Sequence, residues 1–226
     1  MSEMLPLFRL LPAVYCHKGG VTPPLPCLLF TVCCLLLPAA PVFSDTMGWA
    51  ATYGGANHDE VRSIQQTSDG GFIATGWTLS FGAVERDVWV LKLRADGAIE
   101  WQKTYGGDNL SEANSIYETS DGGYIVAGWT NSFGVKHGSI LVLKLGPDGG
   151  VEWQKTYVGV KFDRAFSIQQ TRDGGYIMAG ETKSSGAGGM DLLVLKLGPD
   201  GIIEWQKTYG GGDWDRAKSI QETSNG

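Results

Sequence analysis

Beyond residue 44 the chain contains no cysteine and almost no histidine. All four cysteines precede that point, at positions 16, 27, 33 and 34, so the remainder has neither disulfides nor thiolate metal sites. His58 and His137 are the histidines of the remainder, and they occupy different positions in the repeat described below. Repetition therefore builds neither a Ser-His-Asp triad nor a histidine metal site. We accordingly expect no metal and no cofactor.

Local clusters of basic residues are also lacking. The chain has 18 basic and 24 acidic residues, a net charge of −6, and no run of lysine or arginine. Nucleic acid is therefore not an expected partner, because phosphate backbones need a basic surface. A mildly acidic composition suits a soluble secreted protein.

The first 44 residues differ in composition from the rest and have the pattern of a secretory leader. Two basic residues, Arg9 and Lys18, precede an apolar run at 28–37, and small residues precede a cleavage point before Asp45. We interpret residues 1–44 as a signal peptide or leader, which predicts an extracellular or cell-surface protein. The apolar run is short for a membrane span. An uncleaved leader that anchors the chain in a membrane, and a later start that gives a leaderless protein, are the alternatives.

One pattern recurs every 52 residues through the rest of the chain. Tryptophan recurs four times at this spacing, and in three of the copies it is the first residue of the pentapeptide Trp-Gln-Lys-Thr-Tyr. The same period carries an Asp-Gly-Gly turn, a lysine and a second Asp-Gly turn. A fixed period of this size indicates a repeat architecture. The repeated tryptophans are Trp49, Trp101, Trp153 and Trp205.

Each period contains four segments with the composition of β-strands and none with helical periodicity. The segments are rich in β-branched and aromatic residues and are separated by turns that contain Asp-Gly. In the central copy they are 115–119, 123–130, 140–145 and 151–157. The third of them is almost continuously apolar, which predicts a sheet covered on both faces. Four antiparallel strands per unit predict the blade of a β-propeller, with a β-solenoid or flat stack as the alternative.

The repeated strings also resemble a known family. Trp-x-Lys-Thr-Tyr-Gly-Gly, Thr-x-Asp-Gly-Gly-Tyr-Ile-x-Ala-Gly and Leu-Val-Leu-Lys-Leu are similar to the propeller repeat of secreted and surface-layer proteins of bacteria and archaea. The strand order is similar to that of kelch blades. The resemblance covers residues 48–226 and implies an extracellular, non-catalytic propeller with no catalytic residues to carry over. The chain departs from the pattern at Val158, where other copies have glycine, and at Glu181, where they have tryptophan.

The predicted fold is all-β: a partial β-propeller in residues 45–226. Three complete four-stranded blades are expected at about 61–105, 113–157 and 165–209. An orphan outer strand is expected at 49–53 and an orphan inner strand at 219–223. Because propellers close with about four to eight blades, we expect a fragment of a longer protein. Self-association of several copies to complete a ring is the alternative.

The loops that differ between copies are the predicted binding surface. The connections from each outer strand to the next inner strand, and those between the second and third strands of a blade, vary while the frame repeats. Variable loops on a constant frame are where binding specificity is usually placed. The alternative is that these are ordinary solvated loop residues with local Asp–Arg pairs. The candidate residues are Phe162, Arg164, Trp214, Arg216, Glu85, Arg86 and His137.

These features favour a non-catalytic module for binding or display, with a carbohydrate or protein ligand. One alternative is a propeller-based glycan-active enzyme, such as a sialidase-like hydrolase or lyase, with its active-site residues mostly in further blades. Such an enzyme needs a carboxylate or Tyr/Arg cluster in one blade only, and the copies show no such cluster in sequence. The other alternative is a purely structural spacer.

Overall fold

The computed structural model of the chain describes residues 48–135, 137–157 and 159–224. Within these ranges it contains twelve β-strands and no helix, so the all-β prediction is confirmed. No helix in these ranges is long and apolar enough to cross a membrane. The predicted leader lies outside the described residues, as do Val158 and the Asn225-Gly226 end.

The strands form three antiparallel sheets, each with its four strands in chain order. The first sheet consists of β1 (Asp59–Gln66), β2 (Phe72–Thr78), β3 (Asp87–Leu93) and β4 (Ile99–Tyr105). The second consists of β5 (Ser111–Glu118), β6 (Tyr124–Thr130), β7 (Ser139–Leu145) and β8 (Val151–Tyr157). The third consists of β9 (Asp163–Gln170), β10 (Tyr176–Thr182), β11 (Asp191–Leu197) and β12 (Ile203–Tyr209). We call β1, β5 and β9 the first strands.

The first strands begin earlier than predicted because each contains a β-bulge. The strand expected at 115–119 begins at Ser111, and its register shifts between Ala113 and Ser115. This leaves Asn114 as the extra residue, and a bulge re-aims the side chain it carries. The opposite residue is Gly128, where an added Cβ would lie 1.9 Å from the carbonyl oxygen of Glu112. Only glycine permits this approach of the two strands. The corresponding extra residues of the other sheets are Arg62 and Phe166.

Successive sheets pack on one another through apolar side chains. β5 contacts β2 and β3 of the first sheet, and β9 contacts β6 and β7 of the second. All seven residues of β7 are buried, which confirms that both faces of this sheet are covered. The first strands also contact each other in sequence, β1 with β5 and β5 with β9. Shared clusters of valine, leucine and isoleucine lie between the first and second sheets and between the second and third.

The repeated charges stabilise the turns. Lys92 is 3% exposed, and its Nζ lies 2.7 Å from Asp69 Oδ2 and 3.5 Å from Glu100 Oε2. Hydrogen bonds from Lys92, Thr67 and the Gly71 amide hold the pKa of Asp69 well below its usual range. The equivalent lysines, Lys144 and Lys196, make the same pairs in the other sheets. The repeated aspartates and glutamates are therefore part of the frame.

The two terminal segments contact the sheets as repeat positions do, but neither is assigned as a strand. Tyr53 Oη donates to the carbonyl of Gly97 at 2.6 Å, as Tyr105 does to Gly149 at 2.7 Å. Trp49 Nε1 donates to the carbonyl of Ala95 at 2.9 Å. At the other end, the Ile220 amide donates to Ser167 Oγ at 3.3 Å. These hydrogen bonds match ones that the equivalent repeat positions make, Tyr53 as Tyr105 and Ile220 as Ile168.

Candidate functional site

The copy-specific loops lie at the same end of each neighbouring pair of sheets. At the two junctions between sheets, the amide of the residue that begins a first strand donates to the loop before the third strand of the preceding sheet. Asp215, at the equivalent position of the C-terminal segment, makes the same bond to the third sheet. The donor and acceptor pairs are Ser111 with Arg86 at 2.7 Å, Asp163 with Gly138 at 3.1 Å, and Asp215 with Met190 at 2.6 Å. We call this end the loop rim. It brings together side chains that are about 50 residues apart in sequence.

A buried carboxylate organises the first part of the loop rim. Glu112, which is 3% exposed, receives Arg62 Nη1 at 2.7 Å, Arg86 Nη1 at 2.5 Å and Trp129 Nε1 at 3.1 Å. Burial opposes the ionisation of Glu112, but hydrogen bonds from Arg86 and the charge of Arg62 outweigh it and lower its pKa. Arg86 also lies 4.1 Å above the ring of Trp77. This group is well paired, and it explains the position of Arg86 structurally.

A second buried carboxylate lies at the third sheet and is paired less completely. Glu181, whose side chain is 4% exposed, lies 3.7 Å from Arg164 Nε through Oε1 and 3.4 Å from Arg216 Nε through Oε2. Both distances exceed those of charge-assisted hydrogen bonds. Within the part of the chain that the structure describes, Arg164 Nε and Glu181 Oε2 have no hydrogen-bond partner. We call Arg164, Glu181, Arg216 and Lys218 the rim cluster.

Aromatic rings surround the cations of the rim cluster. The Arg164 guanidinium lies 4.9 Å from the ring of Phe162, 5.5 Å from Phe166 and 5.7 Å from Trp129. Lys218 Nζ lies 3.3 Å above the ring of Phe166. Burial lowers the pKa of Arg164, although the charge of Glu181 acts in the opposite direction. The cations are thus partly desolvated and held by ring faces.

The rim cluster arises from exchanges between copies at equivalent positions. Where the second sheet has Glu112 and Trp129, the third has Arg164 and Glu181. In the third sheet, therefore, the carboxylate is on the second strand, and an arginine occupies the first-strand position that has a carboxylate in the second sheet. Glu181 was recognisable in sequence as a departure from tryptophan, but nothing in sequence connected it to Arg164 and Arg216. Apart from its charge, nothing in the sequence indicated that Lys218 belongs to this group.

The interpretation of Arg164 and Arg216 as members of local Asp–Arg pairs does not describe these contacts. Asp163 instead accepts hydrogen bonds from the hydroxyls of Thr182 and Ser184, the latter at 2.7 Å. Asp215 accepts from the Gly211 amide at 2.9 Å. Asp163 and Asp215 therefore bond to other groups of their loops, and the side chains of Arg164 and Arg216 lie beside Glu181 instead.

The remaining candidate residues are divided between the rim cluster and other places. Trp214 is 69% exposed, and the Arg216 guanidinium lies 5.8 Å from its ring. His137 is exposed and shares with Phe162 a cavity of about 490 Å³. Glu85 is exposed and forms no ion pair within the described ranges. The structure therefore gathers Phe162, Arg164, Trp214 and Arg216, places His137 beside them, and leaves Glu85 apart.

The opposite end of the sheets contains a cavity that the sequence did not indicate. It has a volume of about 700 Å³ and is lined by the turns after the first strands. Its polar groups already link copies: Glu118 accepts from the Ser68 amide at 2.8 Å, and Glu222 from the Arg172 amide at 3.2 Å.

No group of three His, Cys, Asp or Glu side chains among the described residues has the arrangement of a metal site.

Comparison with family models and with curated proteins assigns no family to the chain. No family model matches the chain, and no curated protein matches it. The feature that sets the rim cluster apart is therefore Glu181, which occurs in one copy only, whereas the repeated lysines and carboxylates hold turns in every copy.

Proposed function

We propose that the three sheets are consecutive blades of a β-propeller that is secreted or displayed at the cell surface. The successive contacts of β1, β5 and β9 support this, because the first strands of neighbouring blades converge on the propeller axis. In this arrangement, 49–53 and 219–223 are the outer and inner strands of neighbouring blades. The signal-like composition of residues 1–44 supports the location.

The protein acts as a non-catalytic module for binding or display, with its ligand at the loop rim. The observation that carries this proposal is that Glu181 replaces the tryptophan of the other two sheets and lies 3.4 to 3.7 Å from two arginines without a close hydrogen bond to either. The repeated lysines, by contrast, all pair with turn carboxylates. A frame needs its charges in every blade, whereas the carboxylate of Glu181 occurs once at its repeat position. The exposed ring of Trp214 beside Arg216 favours a carbohydrate, since sugar rings stack on aromatic faces.

A glycan array tests this proposal with two tryptophan variants. Trp214→Ala removes the exposed ring at the loop rim, while Trp205→Ala removes a ring that is 42% exposed on β12. We expect glycan binding by the unmodified chain, loss of signal with Trp214→Ala and retention with Trp205→Ala. The absence of binding, or equal effects of both variants, would contradict the proposal and favour the structural spacer.

A glycan-active enzyme is the second candidate, because the second-strand carboxylate Glu181 occurs in one sheet only and lies within 4 Å of Arg164 and Arg216. Glycoside hydrolysis generally needs two carboxyl groups on either side of the scissile bond. In the rim cluster, Glu181 has two arginines as its partners, which suits a counter-ion better than a proton donor. Release of reducing sugar from a bound glycan, abolished by Glu181→Gln, would establish the enzyme; its absence supports the binding module.

A further inference from the structure

The rim cluster carries more positive than negative charge. Arg164 and Arg216 both lie within 4 Å of Glu181, and Lys218 lies beside them without an ion pair in the described ranges, although the chain as a whole has a net charge of −6. The charges of Arg216 and Arg164, together with burial, lower the pKa of Lys218. The fold therefore brings Arg164 beside Arg216 and Lys218, which are 52 and 54 residues further along the chain.

These cations also have free hydrogen-bonding capacity. Within the described ranges, the buried Nε of Arg164 has no hydrogen-bond partner, although the residue is half-buried. Arg62, at the matched end of the first sheet, donates to Glu60, Glu112 and Asn114 at 2.7 to 2.9 Å. An arginine has five N–H donors in a fork that matches a carboxylate. The contrast between the two arginines indicates that the rim cluster has donors to spare for an external acceptor.

Flat apolar faces lie directly beside these donors. Trp214 is 69% exposed next to Arg216, and Phe162 lies under Arg164. Phe162 also lines the cavity of about 490 Å³, together with Lys161, Lys183 and His137. Ring faces, cationic donors and a further basic recess thus follow one another along the loop rim.

We propose that the rim cluster binds an acidic glycan, a sugar chain that carries carboxylates. This rests on the proposed function, which it deepens by naming the ligand class. One carboxylate is held by Arg164, Arg216 and Lys218, and a sugar ring stacks on Trp214. A neighbouring acidic unit reaches the recess with Lys161 and Lys183. The acidic residues of a peptide carry no ring, whereas every unit of an acidic glycan offers one to Trp214, so the aromatic faces favour the glycan.

Calorimetric titration with hexagalacturonate tests the proposal. Arg216→Gln and Lys218→Gln each remove one cation at a partly exposed site, and Lys103→Gln removes a cation of β4 as the matched control. We expect each rim variant to weaken binding about tenfold, as loss of a charge-assisted hydrogen bond does. The control binds as the unmodified chain does. Thermal unfolding of every variant separates lost binding from lost folding.

The choice of probes separates the charge from the sugar. Methyl-esterified hexagalacturonate keeps the rings but lacks the charge, while poly-glutamate and a single-stranded oligonucleotide keep the charge but lack the sugar acid. Binding of hexagalacturonate alone supports the proposal. Equal binding of the ester overturns the acidic ligand but leaves a glycan-binding module intact. Equal binding of poly-glutamate or of the oligonucleotide overturns the glycan, and absence of hexagalacturonate binding overturns the inference whatever the glycan array shows.

Discussion

The tyrosine of each Trp-Gln-Lys-Thr-Tyr motif offers a measure of how the sheets are joined. Tyr105 Oη donates to the carbonyl of Gly149, and Tyr157 Oη donates to that of Gly201, each at 2.7 Å. Each bond connects the outer strand of one sheet to a turn of the next. Tyr209 occupies the same motif position but is 53% exposed, and its hydroxyl makes no hydrogen bond within the described ranges.

Replacement of these tyrosines by phenylalanine should therefore have unequal costs. Tyr105→Phe and Tyr157→Phe each remove one partly buried hydrogen bond, which lowers the free energy of unfolding by about 1 kcal/mol. For a folded part of this size, that corresponds to a fall in Tm of about 2–4 °C. Tyr209→Phe should change the free energy of unfolding by less than about 0.5 kcal/mol. The double variant should lose about 2 kcal/mol, because the two sites share no partner.

Urea unfolding followed by tryptophan fluorescence gives the comparison. The dependence of the unfolding free energy on urea concentration should be the same for all variants. The reasoning is refuted if Tyr209→Phe costs as much as the other two, because the motif would then stabilise its own sheet and not the junction. It is equally refuted if Tyr105→Phe and Tyr157→Phe leave the urea midpoint unchanged.

Three further predictions concern the frame. Gly128→Ala should cost about 2 kcal/mol or more, because its Cβ would lie 1.9 Å from a backbone oxygen; Gly211→Ala, with open space around it, is the control in urea unfolding. Burial raises the pKa of Tyr124 and Tyr176 to about 12, so stability is complete below pH 10 and falls as pH rises towards 12, as alkaline unfolding curves can show. Hydrogen bonds from Thr119 and Lys144, against the effect of burial, lower the pKa of Asp121 to about 2. Its stabilisation is therefore present above pH 4 and lost towards pH 2, and Asp121→Asn should flatten acid unfolding in that range.

Local patterning predicted the frame well because the signals that form it are local. The predicted outer strand 151–157 coincides with β8, and the second strand of the same sheet begins one residue later than predicted. The first strand was misplaced because its start is polar. Ser111 is buried against the hydroxyl of Thr130 in its own sheet, and Glu112 is buried with Arg62 of the first sheet as its partner; no alternation of apolar residues reveals either contact.

The candidate site was predicted only in part for a related reason. Phe162, Arg164 and Arg216 were placed on the variable loops, and the structure brings them together. Glu181, the carboxylate that both arginines approach, belongs to the second strand of its sheet and lies beside Arg216 in the segment that follows the third sheet. Such contacts depend on which sheet follows which and on how closely they pack.

Glu181→Gln tests the central claim most directly, because the account predicts a change of unusual sign. If Glu181 is the counter-ion that competes with an incoming carboxylate, its neutralisation should strengthen hexagalacturonate binding several-fold. A residue with only a structural role would weaken binding when altered. Titration of the unmodified chain and the variant at one ionic strength gives the answer: tighter binding supports the account, and weaker or unchanged binding contradicts it.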